Sequence, residues 1–343
     1  MRYHRDTTTG VSQAKKESAF VTETAVFDSI RMQCRRVAEQ SQHVRIVEDH
    51  LDEFITPLLA MPLSVPELDT TSHFVDESEA TIAFFTALAA VNFGSGYFPH
   101  LRKLPGLSGY YTVATHLTQR FRSQGSFTAV ELAKITAQEC AQLFGQDVAN
   151  PDILELMGLF SASWNALGDD LLARFEGSFS ALVRAAGHRA SNLVEILARQ
   201  PFFQDVSSYH GIDVPFYKRS QLLASDLCLA LNRQGLGRFD DLDELTIFAD
   251  NLVPHVLRLE GILDYSPSLA RGIEKEELIP AGSDEEIEIR ACSVHAVELM
   301  IDVAAEAGVA WSARDVDQLL WHQGQRPEYK KKAKRHRTRT VFY

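Results

Sequence analysis

Cysteine is scarce and scattered in this sequence: Cys34, Cys140, Cys228 and Cys292 form no C-x-x-C pair and have no histidine at ligand spacing. That pattern argues against a disulfide framework and a zinc site, and it fits reduced thiols in a cytoplasmic protein. Long apolar runs are missing too, so no membrane span is expected. The N-terminus carries charge but no apolar signal core, and residues 1–25 read as a partly disordered leader. Positive charge is in deficit, with a formal net charge of −12. A protein whose whole task is gripping a nucleic-acid duplex carries a basic footprint. Here the dense basic run is confined to Lys330–Arg339. The expected partner is therefore a small molecule, with no stable nucleic-acid partner and no membrane. Strand-like alternation is rare, and there is no internal repeat or long low-complexity linker. A mainly α, single compact domain over 26–343 is the expectation.

What is present is helical periodicity. Phe27 to Leu59 reads as one or two surface helices, and Glu79 to Ala90 as a buried one with Ile82, Phe85, Leu88 and Ala89 on one face. The run Asn92-Phe93-Gly94-Ser95-Gly96-Tyr97-Phe98-Pro99 follows, where two glycines and a proline predict a tight, exposed backbone. Thr128-x-x-Glu131 is a capping box opening a helix that ends near Gly145, and Ser283-x-x-Glu286 is a second. Leu104-Pro105-Gly106-Leu107-Ser108-Gly109-Tyr110 matches a helix–hairpin–helix turn, although Pro-Gly-x-x-Gly turns are common.

Three places break an otherwise regular pattern, and such breaks tend to mark sites or strain. In the helix Glu285–Glu306, Arg290 lies on the apolar stripe of Val294, Val297 and Ile301, with Glu288, His295, Glu298 and Asp302 opposite. A buried arginine must meet a carboxylate, backbone carbonyls or an anionic ligand; a structural ion pair is the plainer reading. In the segment from Val214 to Arg219, Lys218 falls in the first turn of a helix, where the dipole disfavours a cation and can lower its pKa. It could grip a phosphate or polarise a reacting group, or be an ordinary solvated lysine. Asp226 interrupts the core face of the same helix. Finally, Leu245, Phe248, Ala249 and Leu252 form a core stripe with Asp250 off it, and Pro254 starts a new helix. Asp250 would then lie near a helix–turn–helix joint aimed at a cleft, or simply at the surface. The basic tail adds a fourth feature. It ends in Thr340-Val341-Phe342-Tyr343, so burial of its aromatics would draw Arg337 and Arg339 into the body as an anion clamp.

Read as consecutive strings, VNFGSGYFP (91–99), VPFYKRSQLLASDL (214–227), LTIFADNLVPHVLRLEGILDYS (245–266), SDEEIEIRACSVHAVEL (283–299) and HRTRTVFY (336–343) resemble the queuosine salvage protein family. The resemblance covers about Phe27 to Tyr343. It implies hydrolysis of queuosine 5′-monophosphate to queuine and ribose 5-phosphate, feeding queuine salvage into tRNA, with no cofactor and no metal. The fold it implies is similar to that of helix–hairpin–helix DNA glycosylases with an added helical region. By the same resemblance Asp250 and Lys218 are the catalytic positions. Asn92, Phe93, Tyr97, Phe98, Phe203, Asp205, Glu288, Arg290, Trp321 and Tyr343 are pocket candidates, and Arg337 with Arg339 would take the 5′-phosphate. The chain departs from the family pattern at Asn251-Leu252, where an aromatic and a basic residue are expected.

These residue types suit the chemistry. Breaking a C1′–N bond develops positive charge on the sugar, which a fixed carboxylate stabilises while it takes a proton from water. Queuine is a 7-deazaguanine, so protonation at N7 is unavailable. Its departure must lean on hydrogen bonds to the base edge, here from Asp205 or Glu288, and on aromatic stacking. Two other readings compete. A DNA or RNA base glycosylase would use the same pair but needs a basic groove, and a non-catalytic queuine- or tRNA-binding protein would need only the pocket and tail.

Overall fold

The computed structural model describes residues 25–60 and 68–343. The leader expected over 1–25 therefore lies, except for Ala25, outside the described residues. The chain runs α1 (Val26–Gln40), β1 (Val44–Ile46), α2 (Asp49–Leu59), α3 (Ser78–Val91), α4 (Gly109–Gln124), α5 (Ala129–Leu132), α6 (Ala137–Leu143), α7 (Pro151–Arg174), α8 (Phe179–Ala185) and α9 (Ala190–Leu197). It continues through β2 (Val206–Tyr209), β3 (Ile212–Pro215), α10 (Lys218–Ala230), α11 (Val253–Leu259), β4 (Leu263–Tyr265), α12 (Pro267–Glu274), α13 (Asp284–Glu306), α14 (Ala313–Gln325) and α15 (Pro327–Lys332). Strands form two antiparallel pairs, β1 with β4 and β2 with β3. The mainly helical class is as expected.

Two helices organise the interior. α3 is buried at every residue from Thr81 to Val91, because it carries apolar or small side chains all round rather than on one stripe. It lies among α4, α7, α8 and α10. α13 is buried almost continuously from Glu286 to Val297, including Glu288 and Arg290, and packs on α1, α2, α11 and α14. The buried apolar side chains form one contiguous cluster joining both groups.

Local expectations fared unevenly. The stretch 27–59 forms α1 and α2 around a short strand, but α1 buries Phe27, Ile30, Cys34 and Val37 rather than lying on the surface. Thr128 and Glu131 make the reciprocal capping box, yet the helix stops at Leu132, and a second box at Thr136 and Glu139 opens α6. At α13, Ser283 caps Glu286, but the Glu286 carboxylate accepts from Gly282 instead of reciprocating. The segment 245–249 is not helical; it is buried loop whose amides are held from outside, Thr246 by Gln221 and Phe248 by Asp317. Asp250 thus ends a loop, not a helix.

The glycine loop after α3 is covered rather than exposed. The Gly94 N–H donates to the Tyr343 carbonyl (3.1 Å), and a Cβ on Gly96 would come within 2.4 Å of the Thr338 carbonyl oxygen. Glycine is required there by close approach of the tail. The tail is extended with a two-residue period: His336, Thr338 and Thr340 are buried, while Arg335, Arg337 and Arg339 are only half-buried.

Candidate active site

The start of α10 is built on Asp205. Its carbonyl accepts the N–H groups of Phe216 (2.9 Å) and Tyr217 (3.4 Å), and its carboxylate accepts the N–H of Lys218 (3.1 Å). Three successive amides converge on one residue, and the chain turns through Tyr217 in the left-handed region (φ 47°). A bulky residue there is strained by about 1–3 kcal/mol, a cost usually met where a side chain must be aimed. The side chain so aimed is that of Lys218.

Lys218 is 6% exposed. Burial lowers its pKa, and the charges of Asp250, Asp317 and Asp226 oppose that shift while Arg219 adds to it. No carboxylate of the described residues comes within 4.0 Å of the ammonium. The lysine therefore stands among three acids without being locked to any of them.

Each acid comes from a different place. Asp250 is half-buried, and its Oδ1 accepts the N–H groups of Leu252 (2.6 Å) and Val253 (3.3 Å), which fixes the carboxylate and leaves the second oxygen without a hydrogen bond among the described residues. Asp226 lies about two turns along α10 from Lys218 and about 80° round the helix from it. Burial raises it to about 7, against the pull of Lys218 and Arg314. Asp317, on α14, is 8% exposed and accepts the Phe248 N–H at 3.0 Å. Burial raises it to about 7 as well, with the Asp250 charge adding to the effect. Asp317 was absent from the sequence candidates. Its legible signal was the spacing to Trp321, one turn on, which puts an acid and an indole on one helix face. Trp321 meets Tyr111 edge-on with ring centroids 6.2 Å apart, while Tyr110 faces Asp226 and bonds His73 Nε2 through its hydroxyl (2.7 Å).

Arg290 braces the arrangement. Its two terminal nitrogens each reach a carboxylate oxygen of Asp205 at 2.8 Å, and its Nε donates to the Ala249 carbonyl at 3.0 Å. Phe216 lies 3.9 Å from the guanidinium on one side and Tyr343 4.8 Å away. Burial works against its charge, but Asp205 more than offsets that and raises its pKa. Asp205 and Arg290, both pocket candidates, bond each other and backbone here, and Glu286 lies 3.8 Å from the Arg290 guanidinium.

The remaining candidates divide. Phe93 and Phe203 flank the buried guanidinium of Arg219 at 5.0 and 4.6 Å; Arg219 donates to the carbonyls of Ala89, Ala90 and Phe202, and burial pushes it down to about 9. Tyr97 is buried beneath Arg339, Asn92 is half-buried, and Phe98 packs against Gly109. Glu288 does not join the cluster: its carboxylate accepts the N–H groups of Gln42, His43 and Val44 and the Tyr209 hydroxyl. Arg339 pairs with Asp152 (2.6 Å) and Glu155 (3.4 Å), and Arg337 donates to the Glu276 carbonyl (2.6 Å). The tail arginine that faces Asp250 is instead Arg335, for which no side-chain hydrogen bond or ion pair occurs among the described residues. Two broad surface depressions, of about 570 and 720 Å³, are lined by other residues, including His43 and His295 in one and His116 and Glu131 in the other.

Fold and cluster together define a mainly helical protein with a buried lysine set among carboxylates at the meeting of α10, α14 and the loop before α11. The queuosine salvage protein family matches residues 72–343, and the chain belongs to that family. The chain is 39% identical over 314 residues to the queuosine 5′-phosphate N-glycosylase/hydrolase of Sphaerobacter thermophilus, covering 90% of this chain and 96% of that protein. It is 37% identical over 218 residues to the protein so named from Dictyostelium discoideum (63% and 66% covered) and 32% identical over 220 residues to that of Mus musculus (62% and 64%).

Proposed function

We propose that this protein hydrolyses the N-glycosidic bond of queuosine 5′-monophosphate, releasing queuine and ribose 5-phosphate. The observation that carries the reading is the placement of Lys218 beside Asp250 without a direct ion pair. That leaves both groups available to a ligand, with the lysine buried and the carboxylate half-exposed. The similarity to the named hydrolases supplies the substrate class.

Asp250 is the carboxylate for C1′. One oxygen is held by two amides, so the other can stand against the sugar without reorganising as positive charge develops there. The same oxygen takes the proton of the attacking water as its oxygen bonds to C1′. Lys218 supports this by placing its ammonium beside Asp250, where it orients the water. Trp321 and Tyr111 supply aromatic surface for the base. Arg335 is the cation we assign to the 5′-phosphate in place of Arg337 and Arg339, because phosphate recognition needs guanidinium donors not already engaged.

The test is release of free queuine, followed by mass, from queuosine 5′-monophosphate by wild type and by Asp250→Asn. Asn retains the acceptor for Leu252 and Val253, so the variant should fold and bind. Wild-type release with kcat lowered by about 10²–10⁴-fold in the variant is expected. Inert wild-type protein that still binds queuine would leave a binding protein instead.

A further inference from the structure

We propose that Asp317 is a second catalytic residue, the general acid that protonates the departing base; this deepens the hydrolase reading above and rests on it. The geometry separates two neighbouring carboxylates by environment. Asp250 is half-exposed and fixed by two backbone N–H groups, which suit a charged carboxylate. Asp317 is buried, with one oxygen taken by the Phe248 N–H and the other without a hydrogen bond among the described residues. The two are tied through the chain itself, since Phe248 is two residues before Asp250. Carboxylates in such unequal settings divide into acid and base.

The chemistry needs this division. When the C1′–N bond breaks, its electron pair stays on the base nitrogen. A base with carbon at position 7 cannot be protonated there in advance. Asp317 gives its proton to the departing base as the bond breaks, and Asp250 takes one from the water whose oxygen forms the new bond to C1′. Each turnover therefore leaves one proton on Asp250 and one vacancy on Asp317, and exchange with solvent restores both. No other reactant is needed. Trp321, one turn along the same face of α14, is placed to hold the base within reach.

The charged groups facing Asp317 are Asp250, Lys218 from α10 and Arg314 from its own helix; burial and Asp250 hold it protonated up to about pH 7. Wild-type kcat should therefore fall as the pH rises through that value. The experiment is the pH–rate profile of queuine release, pH 5 to 9, for wild type, Asp317→Asn, Asp317→Glu and Asp226→Asn. Asp317→Asn keeps the acceptor for Phe248 but has no proton to give. Its kcat should drop by about 10²–10³-fold with KM within threefold, and the basic limb should vanish. Asp317→Glu should retain a limb, and Asp226→Asn should keep it whatever its rate.

An Asp317→Asn enzyme with unchanged kcat, a change in KM alone, or an intact basic limb overturns the proposal, as does loss of the limb in Asp226→Asn instead. A rise in KM alone would mean that Asp317 reads the base edge. Should Asp317→Asn fail to fold, wild type is measured on 4-nitrophenyl ribofuranoside 5-phosphate, whose leaving group needs no acid. The limb should disappear on that substrate, and a limb of equal size on both would refute the assignment. Wild type that releases no queuine fails the hydrolase reading as a whole, whereas active wild type with an indifferent Asp317 fails this inference alone.

Discussion

Arg290 and Asp205 meet through two parallel bonds of 2.8 Å, 85 residues apart in the chain and both almost wholly buried. Through Ala249 and Lys218 this pair touches the backbone on both sides of the Lys218–Asp250 couple. Arg290→Met leaves a buried carboxylate without its partner, so a loss of about 3–5 kcal/mol in urea unfolding is expected. The double variant Asp205→Leu/Arg290→Met should recover part of that stability, because the Asp205 charge goes with its partner while the buried Glu286, 3.8 Å from the guanidinium, still loses its cation. Its kcat should stay low, since the Lys218 amide has lost its anchor. Recovery of full activity along with stability would show that the pair braces nothing catalytic.

Arg335 separates nucleotide from nucleoside. Arg335→Ala should raise KM for queuosine 5′-monophosphate by about 10–100-fold, the loss of one charge-assisted contact. Cleavage of queuosine, which has no phosphate, should change less than threefold. Equal losses on both substrates would assign Arg335 to Asp250 rather than to the phosphate.

Glu288 is the counter-example among the candidates. On a helix, two residues place it about 200° from Arg290, and its carboxylate organises the turn before β1. Glu288→Gln turns an N–H₂ group toward those amides and should cost about 1–3 kcal/mol. Steady-state kcat and KM should remain within twofold. A large kinetic effect without destabilisation would return Glu288 to the pocket.

His336 makes part of the stability pH-dependent. It is 2% exposed, Nε2 has no hydrogen-bond partner among the described residues, and burial pushes its pKa down to about 3, with His255, Arg335, Arg258 and Arg290 adding to the shift. Between about pH 6.5 and 3 the unfolded chain binds a proton here that the folded chain refuses, so this contribution is present above 6.5 and lost on acidification. His336→Asn removes that linkage. Relative to wild type it should gain about 1.4 kcal/mol per pH unit over this window as the pH falls. Parallel stability curves for the two proteins would contradict the shift.

Much of the architecture was legible in residue order, because burial imposes a period on each element. The helical class, Lys218 in the first turn of α10, the capping at Thr128 and the need of a buried Arg290 for a carboxylate, backbone carbonyls or an anionic ligand all follow from local patterns. Which of these it meets does not, since Asp205 and Ala249 lie on different elements and only packing brings them within 2.8 and 3.0 Å. Asp317 was overlooked for the same reason: within α14 it is one acid among polar neighbours, and its meaning arises when α14 meets the loop before α11.

Tertiary structure also reversed readings that local rules favoured. The stripe at 245–252 looks helical by spacing, yet Gln221 and Asp317 supply acceptors for its amides and hold it as loop. The glycine loop looks exposed, but the tail covers it. The tail's composition revealed a cluster of arginines, while its extended two-residue period and the acids of α7 decided where they point. By itself the sequence determined which chemical groups were available and which faces had to be buried. The fold alone decided which of those groups meet, because contacts between distant segments depend on how whole helices pack and leave no period in the chain.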